Sequence, residues 1–157
     1  MKKSLELYPC DILFVHRDAE REPYQTRKDQ IQQALCGMDS APPVVCVIPV
    51  RMTEAWLLFD EQAIRTASGN PNGRCVLQLP QLCRIETLPN PKKDLNNLLR
   101  TASELSNRRL QKQNIPQQVQ RVAEFIDDFS PLRTLTAFQA LEEDIAETVA
   151  RQGWLER

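Results

Sequence analysis

The sequence predicts an α/β fold: a parallel-sheet βαβ core at the front of the chain, followed by a largely helical C-terminal part. Two observations place the sheet. Continuous apolar runs at Ile12–Val15 and Pro42–Val50 flank one amphipathic helical pattern, and a run without alternation marks a strand buried on both faces, as in parallel sheets. A third observation sets the rest: beyond Pro71 the apolar residues recur at helical spacing in three separate stripes. At 157 residues the chain is the size of one domain, with an α/β core over residues 1–70 and a mainly helical part over 71–157.

The first strand is expected over Asp11–His16, and Arg17–Gln25, which holds Pro23 and lacks periodicity, is a loop. From Thr26 the residues Ile31, Ala34, Leu35 and Met38 fall on one helical face, which Gly37 and Asp39–Ser40 close. The second strand, Pro42–Val50, is rich in β-branched residues, and strand, helix and strand at this spacing make a βαβ unit with a right-handed crossover. A helix follows with Thr53 as N-cap and Asp60 capping a second turn or a bend, ending at Ser68–Gly69–Asn70. Pro71–Pro89 is irregular, with a short strand candidate at Cys75–Leu79. Asn90 followed by Pro91 is a helix start, with Leu95, Leu98, Leu99, Ala102 and Leu105 on its buried face. The polar run Asn107–Gln118 reads as a linker or exposed loop, and the last helices lie near Pro116–Asp127 and Leu135–Arg151. Two strands buried on both faces need more sheet, supplied by Cys75–Ile85 or by something outside this chain.

Composition narrows the function classes. With 41% hydrophobic and 26% charged residues the chain is an ordinary globular one, and a net charge of -1 gives no global nucleic-acid signature, so any such contact is a local patch. The five cysteines are odd in number and lack a CxxC pair. They read as reduced thiols, with Cys46 a small core residue. No stretch approaches the ~20 apolar residues of a membrane span, and a cytoplasmic location without membrane contact is expected.

In open parallel sheets ligands bind beyond the carboxyl ends of the strands. His16, Arg17, Asp18 and Glu20 follow the first strand, and Arg51 and Glu54 follow the second. The carboxylates of Asp18, Glu20 and Glu54 are oxygen donors of the kind that suit Mg²⁺ or Mn²⁺. Arg17, Arg51, Lys92 and Lys93 are candidates to hold phosphate oxygens, and His16 is a candidate general base or a residue that orients a carboxylate. Each also has a plain structural reading: charges in a post-strand loop are commonly solvated, Glu54 in a first turn complements the helix dipole, and Trp56, Leu57 and Leu58 are core.

The succession VHRDAE (Val15–Glu20), VIPVRMTEAWLLFD (Val47–Asp60), LPNPKKDLNNLL (Leu88–Leu99) and SPLRTLTAFQALEEDI (Ser130–Ile145) resembles a bacterial Toprim-like family of unknown function. That family is often encoded beside ABC-type ATPases, in an arrangement similar to that of overcoming-lysogenization-defect (OLD) nucleases. The resemblance implies a Toprim-type metal site, with Asp18 and Glu20 as the paired acidic residues and Glu54 as the acidic residue of the second motif. It also implies a role in DNA transactions or phage defence with an ATPase partner. Toprim domains carry an earlier glutamate on a preceding strand; here ten residues precede the first strand and Glu6 lacks that setting, so a shortened member without the glutamate strand is expected.

The leading expectation is therefore a divalent-metal-dependent, nuclease-like protein acting on DNA phosphodiesters, with His16 and Glu54 in catalytic roles. Catalytic impairment would follow if the missing strand is essential. The rivals are a non-catalytic regulatory or binding partner of an ATPase and a small-molecule phosphohydrolase using the same acidic edge. An open sheet edge favours self-association, so a homodimer is expected.

Overall fold

The structure, a computed structural model, describes residues 2–20, 22–36 and 42–154, with the backbone alone at positions 2, 4 and 6. It is a mixed α/β chain, mostly helical: among the described residues seven α-helices accompany one two-stranded parallel sheet. The chain divides into two compact units, Met1–Val50 with Leu135–Arg157, and Arg51–Thr134. The packing division thus falls at Val50, and the last helix belongs with the strands.

In the first unit helix α1 (Lys2–Leu7) precedes the strands in sequence. Strand β1 (Leu13–His16) pairs in parallel with β2 (Val44–Val47), Leu13 opposite Val44 and His16 opposite Val47. Between them runs α2 (Tyr24–Leu35), starting two residues before the expected Thr26, directly after Pro23. The expected stop at Gly37 and Asp39–Ser40, with Met38, lies outside the described residues. Of the expected helical face Ile31 is buried and Leu35 half-buried, while Ala34 is exposed.

The expectation that both strands are buried on both faces holds for β2 and not for β1. Val45 and Cys46 are buried at 0% and 3% exposure, while Phe14 in β1 is 51% exposed. The reason is cover: α7 packs against β2, while the residues of β1 alternate between half-buried and exposed. A small core of Ala19, Ile31, Cys46 and Ile48, with Val15, Tyr24, Leu35 and Val44 packed on it, joins β1, β2 and α2.

Helix α7 (Thr136–Arg151) covers β2 and closes its free edge. Main-chain groups of Pro43 and Val47 bond to β1, so Cys46 faces the opposite edge. Its N–H donates to Asp144 Oδ2 at 2.7 Å, while Asp144 Oδ1 accepts from Lys28 Nζ at 2.8 Å. One side chain on α7 thereby ties together β2 and α2.

The second unit begins with a 3₁₀ turn, Thr53–Leu57, in which Thr53 is the first helical residue and not the cap. Asp60 does cap: its side chain accepts from the Ala63 N–H, opening α3 (Glu61–Ala67) after a bend. The helix ends at Ser68, where Gly69 takes φ +83, a left-handed conformation that glycine adopts without Cβ strain. Cys75–Leu79 forms no strand, since no second run of chain lies alongside to pair with it among the described residues. Asn90 accepts from the Lys93 N–H and Pro91 occupies the first turn of α4 (Pro91–Ala102), whose Leu95, Leu98, Leu99 and Ala102 are buried. The polar run Asn107–Gln118 is not a loop: it contains α5 (Asn107–Leu110) and the start of α6 (Ile115–Phe125), which Asn114 caps. Leu58, Ile64, Ile85, Leu95, Leu99 and Val122, each at 0% exposure, form one continuous core. No helix among the described residues is long and apolar enough to cross a membrane.

Candidate functional site

The carboxyl edge of the sheet is fixed by an extension of the β ladder beyond the strands. Arg17 N–H donates to Val47 O at 3.0 Å and Ala19 N–H to Pro49 O at 2.8 Å, so the loop after β1 runs on beside the exit of β2. His16, Arg17, Asp18 and Glu20 are thereby held at the edge where the chain leaves β2 through Val50.

Within that loop the side chains are organised in pairs. His16 Nε2 lies 3.1 Å from Asp18 Oδ1; both are residues of one extended segment, two positions apart, so they project from the same side. Glu20 adopts φ 58, a strained backbone choice for a residue with a Cβ. Its carboxylate is 74% exposed and sits 3.7 Å from Arg27 Nη2. Arg27, one turn into α2, also donates from Nε to Ala19 O at 3.3 Å, so it pins the turn from the helix side. Sequence reasoning missed Arg27; its only sequence signal is its place in the first turn of the helix that ends the acidic loop.

Beside these residues a cleft of about 510 Å³ is lined by Ala19, Glu20, Glu22, Tyr24, Ile48 and Ala137, among others. Its walls are apolar on the β2 side and acidic at the loop. Such a cleft at the carboxyl edge of parallel strands is where ligands of open α/β sheets bind.

The sequence-predicted residues fall in both units. His16, Arg17, Asp18 and Glu20 belong to the first, and Arg51, Glu54, Lys92 and Lys93 to the second. Arg51 and Glu54 are half-buried, with Glu54 in the first turn of the 3₁₀ segment, whereas Lys92 and Lys93 are exposed on the first turn of α4. Among the described residues no group of three or more His, Cys, Asp or Glu side chains gathers at metal-binding distance. Trp56 and Leu58 are core residues at 7% and 0% exposure, and so is Cys46; the other four cysteines are exposed and free. Compared with family models, curated proteins and solved structures, the chain matches none.

Proposed function

We propose that the protein is a Toprim-like, divalent-metal-dependent nuclease acting on DNA phosphodiesters, in the setting of phage defence or DNA maintenance beside an ABC-type ATPase. One observation supports it above the rest: the ladder from Arg17 to Ala19 holds an acidic pair, Asp18 and Glu20, at the carboxyl edge of two parallel strands, beside an open cleft. Two carboxylates of this kind match what Mg²⁺ or Mn²⁺ takes from a protein, one or two oxygen ligands with the remaining positions left to water and phosphate. A bound cation of this type supplies charge neutralisation at the phosphate and lowers the pKa of a coordinated water.

The chain's own residues have these parts in the proposal. Asp18 and Glu20 hold the cation, and the resemblance gives Glu54, in the second unit, the part of the second motif's acidic residue. His16, hydrogen-bonded to Asp18, orients that carboxylate or accepts a proton. Arg17 and Arg51 bind phosphate oxygens through forked N–H donors, and Lys92 and Lys93 add positive charge for the DNA backbone.

The test is nicking of supercoiled plasmid during a Mg²⁺ or Mn²⁺ titration, comparing the natural chain with Asp18→Ala and Glu54→Ala. Metal-dependent nicking that falls by at least about 100-fold in both variants is expected for lost ligands. Absent nicking, or nicking that survives both substitutions, rules the reading out.

A further inference from the structure

The outer edge of β1 is open, and its chemistry is complementary to itself. Leu13 and Arg17 direct their N–H groups to β2, so by alternation the main-chain groups of Ile12, Phe14 and His16 face away from it. The sheet has no third strand among the described residues, leaving that row of donors and acceptors free. Phe14, in the middle of the row, is 51% exposed. An open edge with a half-exposed phenylalanine is a template for strand addition.

We propose that the occupant is a second copy of this chain, its β1 running antiparallel to the first about a two-fold axis at Phe14. Only registers that set outward-facing residues opposite one another form hydrogen bonds. Centring on Phe14 meets this requirement with the full row: Phe14 faces the partner's Phe14, and Ile12 faces the partner's His16. The same register sets Leu13 opposite the partner's Val15 and Asp11 opposite the partner's Arg17. Asp11 and Arg17 are both exposed, and neither makes an ion pair among the described residues. Shifting the register by two residues loses hydrogen bonds and separates these charges. Both the hydrogen bonding and the charge pattern thus select one isologous arrangement, a four-stranded sheet from two chains. An arginine has five N–H donors, so pairing with the partner's Asp11 leaves donors on Arg17 for an anion.

A pairing this short covers less than the ~1,200 Å² of a standard stable interface, so the dimer exchanges rapidly and depends on concentration. Sedimentation velocity over micromolar to near-millimolar concentrations reads it out. The natural chain is expected to dimerise. Phe14→Lys, Asp11→Arg and Arg17→Asp are each expected to raise the dissociation constant by about tenfold or more with unchanged far-ultraviolet circular dichroism, since two-fold symmetry applies each change twice. The double variant Asp11→Arg/Arg17→Asp exchanges the charges within the same register and is expected to recover the dimer. A natural chain that stays monomeric, a dimer indifferent to Phe14→Lys, or a double variant no better than the singles overturns the proposal. None of these readouts depends on nuclease activity, so the dimer and the proposed reaction stand or fall separately.

Discussion

Asp144 is 4% exposed, and both its oxygens are engaged, one by Lys28 and one by the Cys46 N–H. Removing it leaves a backbone donor and an ammonium without their partner. Asp144→Ala is therefore expected to cost ~3 kcal/mol, read from urea denaturation, and Asp144→Asn less, because an amide oxygen still accepts from Cys46. The surrounding groups add a pH dependence. Burial raises the Cys46 thiol above its ordinary 9.0 and the Tyr24 phenol above 10.0. Burial works against the Lys28 ammonium, but its hydrogen bond to Asp144 and that residue's charge carry it above 10.5. All three groups hold their protons more tightly folded than unfolded. Their stabilisation is complete below the ordinary values and is lost as pH rises through the raised ones. The thermal midpoint is expected to fall across the alkaline range, less steeply in Asp144→Asn, where Lys28 loses the group that raises it. Nothing in the local sequence announces this cluster: Asp144 sits among Leu141, Ile145 and Val149, and a periodicity reading buries those neighbours. In the structure they are half-buried, and Ala137, Asp144 and Thr148 face inward instead.

At the scale of elements, what was legible depended on local chemistry. Asn90–Pro91 and Asp60 open helices through bonds to main-chain donors three residues on, and such caps read directly from sequence. The two strands were visible as apolar runs, and their parallel direction follows from the helix between them. Features that depend on distant partners were not legible. Cys75–Leu79 has strand-like residues and no strand to pair with among the described residues, and α5 is a four-residue helix inside a polar run. The candidate site divides in the same way: Asp18 and Glu20 were placed by the strand they follow, whereas Arg27 as the anchor of their turn required the fold. A loop in the second unit shows the same dependence. Glu104 Oε1 accepts from the Cys75 N–H at 2.7 Å and Asn70 Nδ2 donates to Ala102 O at 2.9 Å. A Cβ on Gly73 would lie 2.6 Å from Asn70 Nδ2 and 2.9 Å from Glu104 Oε1. Gly73→Ala is expected to destabilise by about 0.5–1.5 kcal/mol, because these side-chain tips can shift only at the expense of their hydrogen bonds, measured by chemical denaturation. The hydrogen bonds from Cys75 and Arg74 hold the Glu104 carboxyl below its ordinary value. That contribution is present at neutral pH and is lost as pH falls through the lowered value.

At the scale of the whole molecule, one unit is continuous in sequence and the other is not. Arg51–Thr134 has its own core, while β1, α2 and β2 depend on α7 for the cover of β2. A chain ending at residue 134 is expected to lose the order of its first fifty residues and keep that of the second unit. Limited proteolysis with mass spectrometry checks this: rapid cleavage before Arg51 and a resistant fragment over 51–134 are expected, and equal resistance of both parts would contradict it.

The bond between Cys46 and Asp144 spans 98 positions of sequence. On a ribosome, adding that much chain at about 5–20 residues per second takes roughly 5–20 s. During that interval β2 has emerged with neither α7 nor the Asp144 carboxylate along its edge away from β1. The nascent chain thus carries two unguarded strand edges before it carries one, and this window is when wrong strand pairings, or a chaperone, have their opportunity.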